Sequence, residues 1–419
     1  MKAILHLAWK SLQNRKATAL LTILTVAISV TLLLGVERVR TQAKASFANT
    51  ISGTDLIVGS RAGSVNLLLY SVFRIGNATN NIDWKSYQEI TSHRAVKWAI
   101  PISLGDSHRG FRVIGTTGDY FEHYKYGKKQ PLNFDQGLPF TGLFETVIGA
   151  EVARKLNYKL GDEIIIAHGI SDKSFNRHDN LPFKVVGILA PTGTPVDRSV
   201  HVSLEAIEAI HVGWESGARL GPTPEAEVLL QQQFKPKQIT AFMVGLNSKI
   251  QTFALQRYIN TYSKEPLSAI MPGIALHELW QMMSIAEQAL LIVSGFVVIA
   301  GLLGMLSSLL TSLNERRREM AILRATGARP SHIFFLLISE ATFLTALGIL
   351  LGTIMLYGLL FLAQPFILTH FGMYIEITPL NIYELTLLAV VQVAGILVGI
   401  IPAIRAYQHS LSDGMTIKI

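Results

Sequence analysis

Residues 17–36 read ATALLTILTVAISVTLLLGV, Ala17 to Val36, 20 consecutive positions without a charged side chain. At about 1.5 Å per residue a helix of this length covers the ~30 Å hydrocarbon core of a bilayer. Lys2, Lys10, Arg15 and Lys16 precede the run, and Arg38 and Arg40 follow it. Ala43-Lys44-Ala45 faintly resembles a leader cleavage site. The apolar run is nevertheless longer than the ~7 to 15 residues of a secretory leader and is followed at once by cations, so an uncleaved membrane helix is expected.

Working outward, three more segments have spanning length: 285–313, 332–363 and 385–404. Between the first and second helices lies a stretch of ordinary globular composition, 37–284. The chain therefore reads as a polytopic α-helical membrane protein, four transmembrane helices arranged one plus three, with a large α+β domain inserted between helices 1 and 2. The whole-chain figures agree: 419 residues, mean hydropathy +0.36 and 16% charged residues, a balance that argues against a soluble enzyme. The absence of cysteine removes disulfides and thiolate chemistry.

Orientation follows from Lys and Arg near the helix ends. Segment 1–16 has four basic and no acidic residues, 314–331 has five against two, and the tail 405–419 has two against one. The connection 364–384 has no Lys or Arg. Both termini and the 314–331 loop are thus expected in the cytoplasm, with the inserted domain outside. These three cytoplasmic pieces then account for the entire net charge of +8, and the rest of the chain balances. A nucleic-acid partner, which a pI near 9.5 would otherwise suggest, loses its main support.

Helical spacing continues past the membrane segments. Val39, Ala43, Phe47 and Ile51 recur after the first span, and Leu276, Trp280, Met283, Glu287 and Leu290 before the second, which predicts helical stalks. Within the domain, strands are expected at Asp55–Val58, Phe111–Ile114, Thr146–Ile148, Glu163–Ile166 and Phe183–Leu189, and short helices at Ala150–Leu156 and Leu204–Ile210. Arg219–Lys237, rich in Pro, Gln and Gly, reads as a surface loop. The apolar run Leu67, Leu68, Leu69, Tyr70 and Phe73 has no single polar face. It reads either as a core helix or as a contact for substrate or a second protomer.

Motifs for chemistry are missing. Gln281 stands where His277-Glu278 would need a second histidine for zinc, and Gly213–Gly217 places its serine one position late for a nucleophile elbow. The twelve histidines show no ligand spacing, so no metal site and no catalytic residue are expected. No phosphate-binding Gly-rich loop ending in Gly-Lys-Ser/Thr occurs, so nucleotide must be bound by another chain if energy is needed. One carboxylate, Glu340, falls deep within a membrane segment. Gly348/Gly352 and Gly395/Gly399 form two small-xxx-small pairs that suit close helix packing, within one subunit or between two.

The loop Asn314-Glu-Arg-Arg-Arg-Glu-Met-Ala-Ile-Leu-Arg-Ala-Thr-Gly327 predicts a short helix, with Asn314 as N-cap, Arg324 near the negative end and Gly327 at the left-handed C′ position. Met320 and Leu323 give it an apolar patch beside a basic face. Glu315–Ala328, followed by a helix with Glu340 and then Gly348 and Gly352, closely resembles the signature of the FtsX/MacB-like permeases of ABC transporters. Trp9-Lys-Ser-Leu12, Pro402-Ala403 and Arg405-Ala406 extend that likeness, and Glu145–Leu156, Leu160–Glu163 and Phe183–Gly187 resemble the family's periplasmic core domain.

The resemblance implies a non-catalytic permease subunit, paired with itself or with a similar permease and bound to a separate cytoplasmic ABC ATPase that holds ATP and Mg. With only 16 residues ahead of the first helix, the chain fits the unfused branch that includes lipoprotein-releasing permeases. By that analogy Glu315, Arg316, Arg317, Arg318, Glu319, Met320, Leu323, Arg324 and Gly327 form the helix that meets the ATPase. Motion is passed to the periplasmic domain, which exports, extracts or releases a substrate there by mechanotransmission. The bacterial inner membrane, its lipids, and a periplasmic adaptor or acceptor complete the expected setting. The competing reading is an envelope signalling or scaffold protein that relays a conformational signal without transport.

Overall fold

The computed structural model describes residues 16–169, 180–213, 226–315, 317–371 and 377–408, with backbone alone at 314, 315, 317–319, 321 and 367–371. The chain forms two compact units, a helix bundle and a domain spanning Ala43–Met283.

Four helices are long and apolar enough to cross a membrane: α1 (Lys16–Thr50), α2 (Pro272–Glu315), α4 (Pro330–Phe371) and α5 (Ile382–Gln408), with a short α3 (Arg317–Ala325) between the second and third. Both α2 and α4 outrun the segments read from hydropathy, because helical periodicity continues where the apolar run stops. The bundle interior is apolar, Val26, Val30 and Leu34 of α1 packing with Leu356 and Leu360 of α4 and Leu388 and Val391 of α5. Leu302, Met305 and Leu309 of α2 meet Ala341 and Leu344 of α4. The outer faces are apolar too, with Phe296, Leu350, Ile354 and Leu397 exposed, as suits helices surrounded by lipid. Hydroxyls then supply directional contacts: Thr22 Oγ1 donates to Ser308 Oγ at 3.0 Å, and Ser29 Oγ to the Val297 carbonyl at 3.1 Å.

The inserted domain is built on an 11-stranded mixed sheet. In chain order the strands are β1 (Leu56–Ser60), β2 (Val96–His108), β3 (Phe111–Thr116), β4 (Phe134–Gly137), β5 (Glu145–Ile148), β6 (Glu163–Ile164), β7 (Ala167–His168), β8 (Phe183–Leu189), β9 (Ser199–Ser203), β10 (Ala241–Leu246) and β11 (Leu267–Ile270). Their order across the sheet is β11-β1-β10-β2-β3-β9-β5-β8-β4, with β7 beside β2 and β6 beside β8. Strand β2 joins the two halves: its first part pairs with β10, and from Ser103 onward it pairs with β3. Sequence reading passes over this strand because it contains Pro101 and Gly105. Pro101 is tolerated because pairing on the β3 side begins only at Ser103, and Thr116 Oγ1 donates to the Pro101 carbonyl at 2.7 Å.

Helices Ala150–Leu156 and Leu204–Ile210 form where the sequence places them. Arg219–Lys237 is not wholly loop: Ala226–Leu230 is helical and Leu229 is fully buried in the core with Phe183 and Val202. Of the stalk positions, Phe47, Ile51 and Leu276 pack on the domain core, and Phe47 meets Trp280 edge-on at 5.5 Å between ring centroids. Val39, Met283 and Leu290 instead face outward.

Candidate functional site

The short helix α3 ends on a Schellman motif. Gly327 adopts φ 98°, Ala328 N–H donates to the Leu323 carbonyl at 2.9 Å and Gly327 N–H to the Arg324 carbonyl at 3.0 Å. Its start differs from the sequence expectation. Asn314 belongs to the last turn of α2, so it caps nothing; the apolar periodicity of α2 carries the helix past it. The side chains of Glu315, Arg316, Arg317, Arg318 and Glu319 lie outside the described residues. Met320 turns inward against the cluster of Leu313, Ile333, Leu337, Ala403 and Ala406, Leu323 is half-buried, and Ile322 stands 56% exposed. Arg324 Nη2 donates to the Tyr407 carbonyl at 3.1 Å, placing a cation at the negative end of α5. The loop helix is thus anchored to the bundle on one side and presents an apolar residue on the other.

Both glycine pairs are occupied within the subunit. A β-carbon at Gly348 would lie 2.6 Å from Val26 Cγ1, and one at Gly352 would lie 2.6 Å from the Ala27 carbonyl oxygen, so α1 crosses α4 on this seam. Gly395 and Gly399 of α5 are similarly closed by Thr345 and Ala341 of α4. Glu340 lies on the same buried stripe of α4, between Leu336 and Leu344.

Sequence reading missed an ion pair in this bundle. Arg38 of α1 reaches Glu384 of α5 with Nε to Oε1 at 2.6 Å and Nη2 to Oε2 at 3.2 Å. The guanidinium also donates to the Thr378 carbonyl at 2.8 Å and to Tyr357 Oη at 3.1 Å. Glu384 and Asn381 form a reciprocal capping box, Asn381 N–H to Glu384 Oε2 at 2.8 Å and Glu384 N–H to Asn381 Oδ1 at 2.7 Å. The signal was present as Asn381-Ile-Tyr-Glu384 ahead of an apolar run, and the partner arginine was visible only as a flanking charge.

In the inserted domain, Leu67, Leu68, Leu69, Tyr70 and Phe73 do not form an exposed contact surface. All but Leu69 are buried in the domain's own core. An α-turn (Ser64–Leu68) passes into a π-turn (Leu69–Phe73), and the sheet encloses one side while Phe47, Ile51 and Leu276 enclose the other. The π-turn changes the angular step per residue, so positions that diverge on an ideal α-helix are all covered. Ser64 Oγ donates to Glu278 Oε2, tying the segment to the first turns of α2.

What this segment does build is one wall of a cavity of about 430 Å³, lined among others by Phe47, Phe73, Phe111, Arg74, Arg112 and Arg198. Arg74 ends the π-turn at φ 62°. Its guanidinium donates to the Ser71 carbonyl, while buried Nε has no acceptor among the described residues. Arg112 donates to the Gly76 carbonyl at 2.9 Å, and burial together with nearby Arg74 holds its pKa below the ordinary arginine value. Arg198 is paired with Glu151 at 3.6 Å. Aromatic walls and two neighbouring cations that take no carboxylate among the described residues make a place for an apolar group next to an anion.

The histidines are less scattered than their spacing suggests. His277 bonds Gln281 at 3.1 Å and forms no metal face with it, but His168 and His211 converge on Asp106.

Comparison with known proteins falls on both units. The family described as MacB-like periplasmic core domain matches residues 19–262, and FtsX-like permease C-terminal matches residues 291–411. No curated protein matches the chain. Among solved structures, the extracellular domain of the noncanonic ABC-type transporter YknZ from Gram-positive bacteria is 14% identical, covering 51% of this chain and 98% of its own, with a TM-score of 0.31. The family matches carry the assignment: the chain is a member of the FtsX/MacB-like family of ABC transporter permease subunits.

Proposed function

We propose that this chain is the inner-membrane subunit of a mechanotransmission transporter. An ABC ATPase on another polypeptide, which binds ATP and Mg, docks on α3, and the chain works with a second copy or a similar permease. Both termini and α3 face the cytoplasm, where the excess basic residues lie, and the inserted domain works on the periplasmic side. The observation that carries the reading is the construction of α3: anchored through Met320 and Arg324, closed by Gly327, and presenting Ile322 outward. A push on such a helix is delivered to α2, α4 and α5 rather than absorbed in a loop.

Helices α1 and α2 continue without a break into residues of the inserted domain, 35 and 44 residues long respectively. Each exceeds the roughly 20 residues needed to span a bilayer, so part of each helix lies beyond its membrane segment. The Arg74/Arg112 cavity is assigned to the substrate, an amphipathic molecule with an apolar portion and an anionic group. The test is co-purification: Ile322→Glu abolishes recovery of the ATPase with the full-length permease while membrane insertion is unchanged. Full recovery with that variant overturns the docking site.

A further inference from the structure

We propose a divalent transition-metal site of the zinc class at Asp106, His168 and His211 in the inserted domain. Three separate elements supply the residues. Asp106 lies near the end of β2, His168 is directly opposite it on β7 in the antiparallel register, and His211 follows the helix Leu204–Ile210. The sheet register and the helix terminus therefore bring together residues separated by up to 105 positions in the chain.

The donor atoms form a triangle of coordination size. His168 Nδ1 is 2.9 Å from Asp106 Oδ1 and 3.3 Å from His211 Nε2, which is 3.8 Å from Asp106 Oδ1. With metal bonds of about 2.0–2.2 Å, adjacent ligands of a tetrahedral zinc ion stand roughly 3.3–3.5 Å apart, and the three edges bracket that value. Proton placement fits as well. His211 Nδ1 lies 2.5 Å from the Ile207 carbonyl, so Nδ1 carries the proton and Nε2 directs a lone pair into the triangle. Asp106 is 4% exposed, and its carboxylate faces two ring nitrogens instead of water.

Two imidazoles with one carboxylate favour zinc over magnesium or calcium, which prefer all-oxygen shells. Among the described residues, Asp106, His168 and His211 supply three ligands. The ion would clip the β2–β7 edge to the end of the Leu204–Ile210 helix, a structural role separate from the substrate cavity.

The experiment uses the purified full-length chain in detergent after chelator treatment. Zn²⁺ titration against a chromogenic chelator is expected to show one equivalent per chain. Co²⁺ is expected to give the intense visible bands of a four-coordinate site. His168→Gln with His211→Gln should weaken Zn²⁺ binding by at least about 100-fold, with near-ultraviolet circular dichroism unchanged. If that double variant unfolds, the Co²⁺ spectrum of the unaltered chain decides alone. Weak bands like those of hexa-aqua cobalt, or stoichiometric Zn²⁺ binding unchanged in a folded double variant, overturn the site.

Discussion

Arg38 and Glu384, 346 positions apart, form a bidentate ion pair whose side chains are 3% and 1% exposed. The pair links α1 to the capped first turn of α5 and is more deeply buried than the Arg40–Glu287 pair that joins α1 to α2 at 3.7 Å. A buried pair of this kind is costly to break, because the survivor is left desolvated. Arg38→Met or Glu384→Gln alone is expected to lower stability by about 3–5 kcal/mol. The double variant should lose less than the two singles together, as read from a double-mutant cycle of thermal unfolding in detergent.

The α1–α4 seam depends on absent side chains. Gly348→Val drives a side chain into Val26, and overpacking of this kind costs about 1–3 kcal/mol. Gly358→Ala on the same helix meets no atom within 4 Å and serves as the control. Equal stability of the two variants would contradict the seam.

His201 makes stability sensitive to acid. It is fully buried, and desolvation first, then the Arg74 charge, lowers its pKa from 6.5 to about 3. As pH falls through 6.5 the unfolded chain protonates this imidazole while the folded one stays neutral, so the unfolded state gains a proton the native state lacks. Stability therefore declines as pH drops from about 6.5 toward 3, by at most about 1.4 kcal/mol per unit from this group. His201→Phe should flatten that part of the stability–pH curve measured by chemical denaturation.

Photo-crosslinking separates the cavity from the buried segment beside it. A photoreactive residue at Ile75, which lines the cavity and is 54% exposed, is expected to label amphipathic material in membranes. The same residue at Ile250, 90% exposed and not part of the cavity lining, should not. Equal labelling at both positions would remove the cavity from the substrate path.

The absence of cysteine allows pairs of cysteines to be introduced without background. Spin labels placed at exposed Leu138 and exposed Ile250 in the inserted domain are expected to change separation when the partner ATPase binds nucleotide. An unchanged distance distribution would show that nucleotide binding does not deform the domain between these two positions.

Much of this protein was legible before folding was considered. Composition and unbroken apolar runs determine the four membrane helices, since a bilayer demands about 20 apolar residues whatever surrounds them. Local chemistry likewise determines the end of α3, where only Gly327 suits φ 98°, and the helices Ala150–Leu156 and Leu204–Ile210. Other features depend on what meets what. Pro101 disguises β2 until the sheet shows it unpaired on one side, and the Leu67–Phe73 run is neither core nor surface until the layers around it are known. Arg38 with Glu384, and Asp106 with His168 and His211, are joined only by tertiary structure. Charge and ligand geometry act over a few ångströms in space, and linear spacing carries no trace of contacts between residues so far apart in the chain.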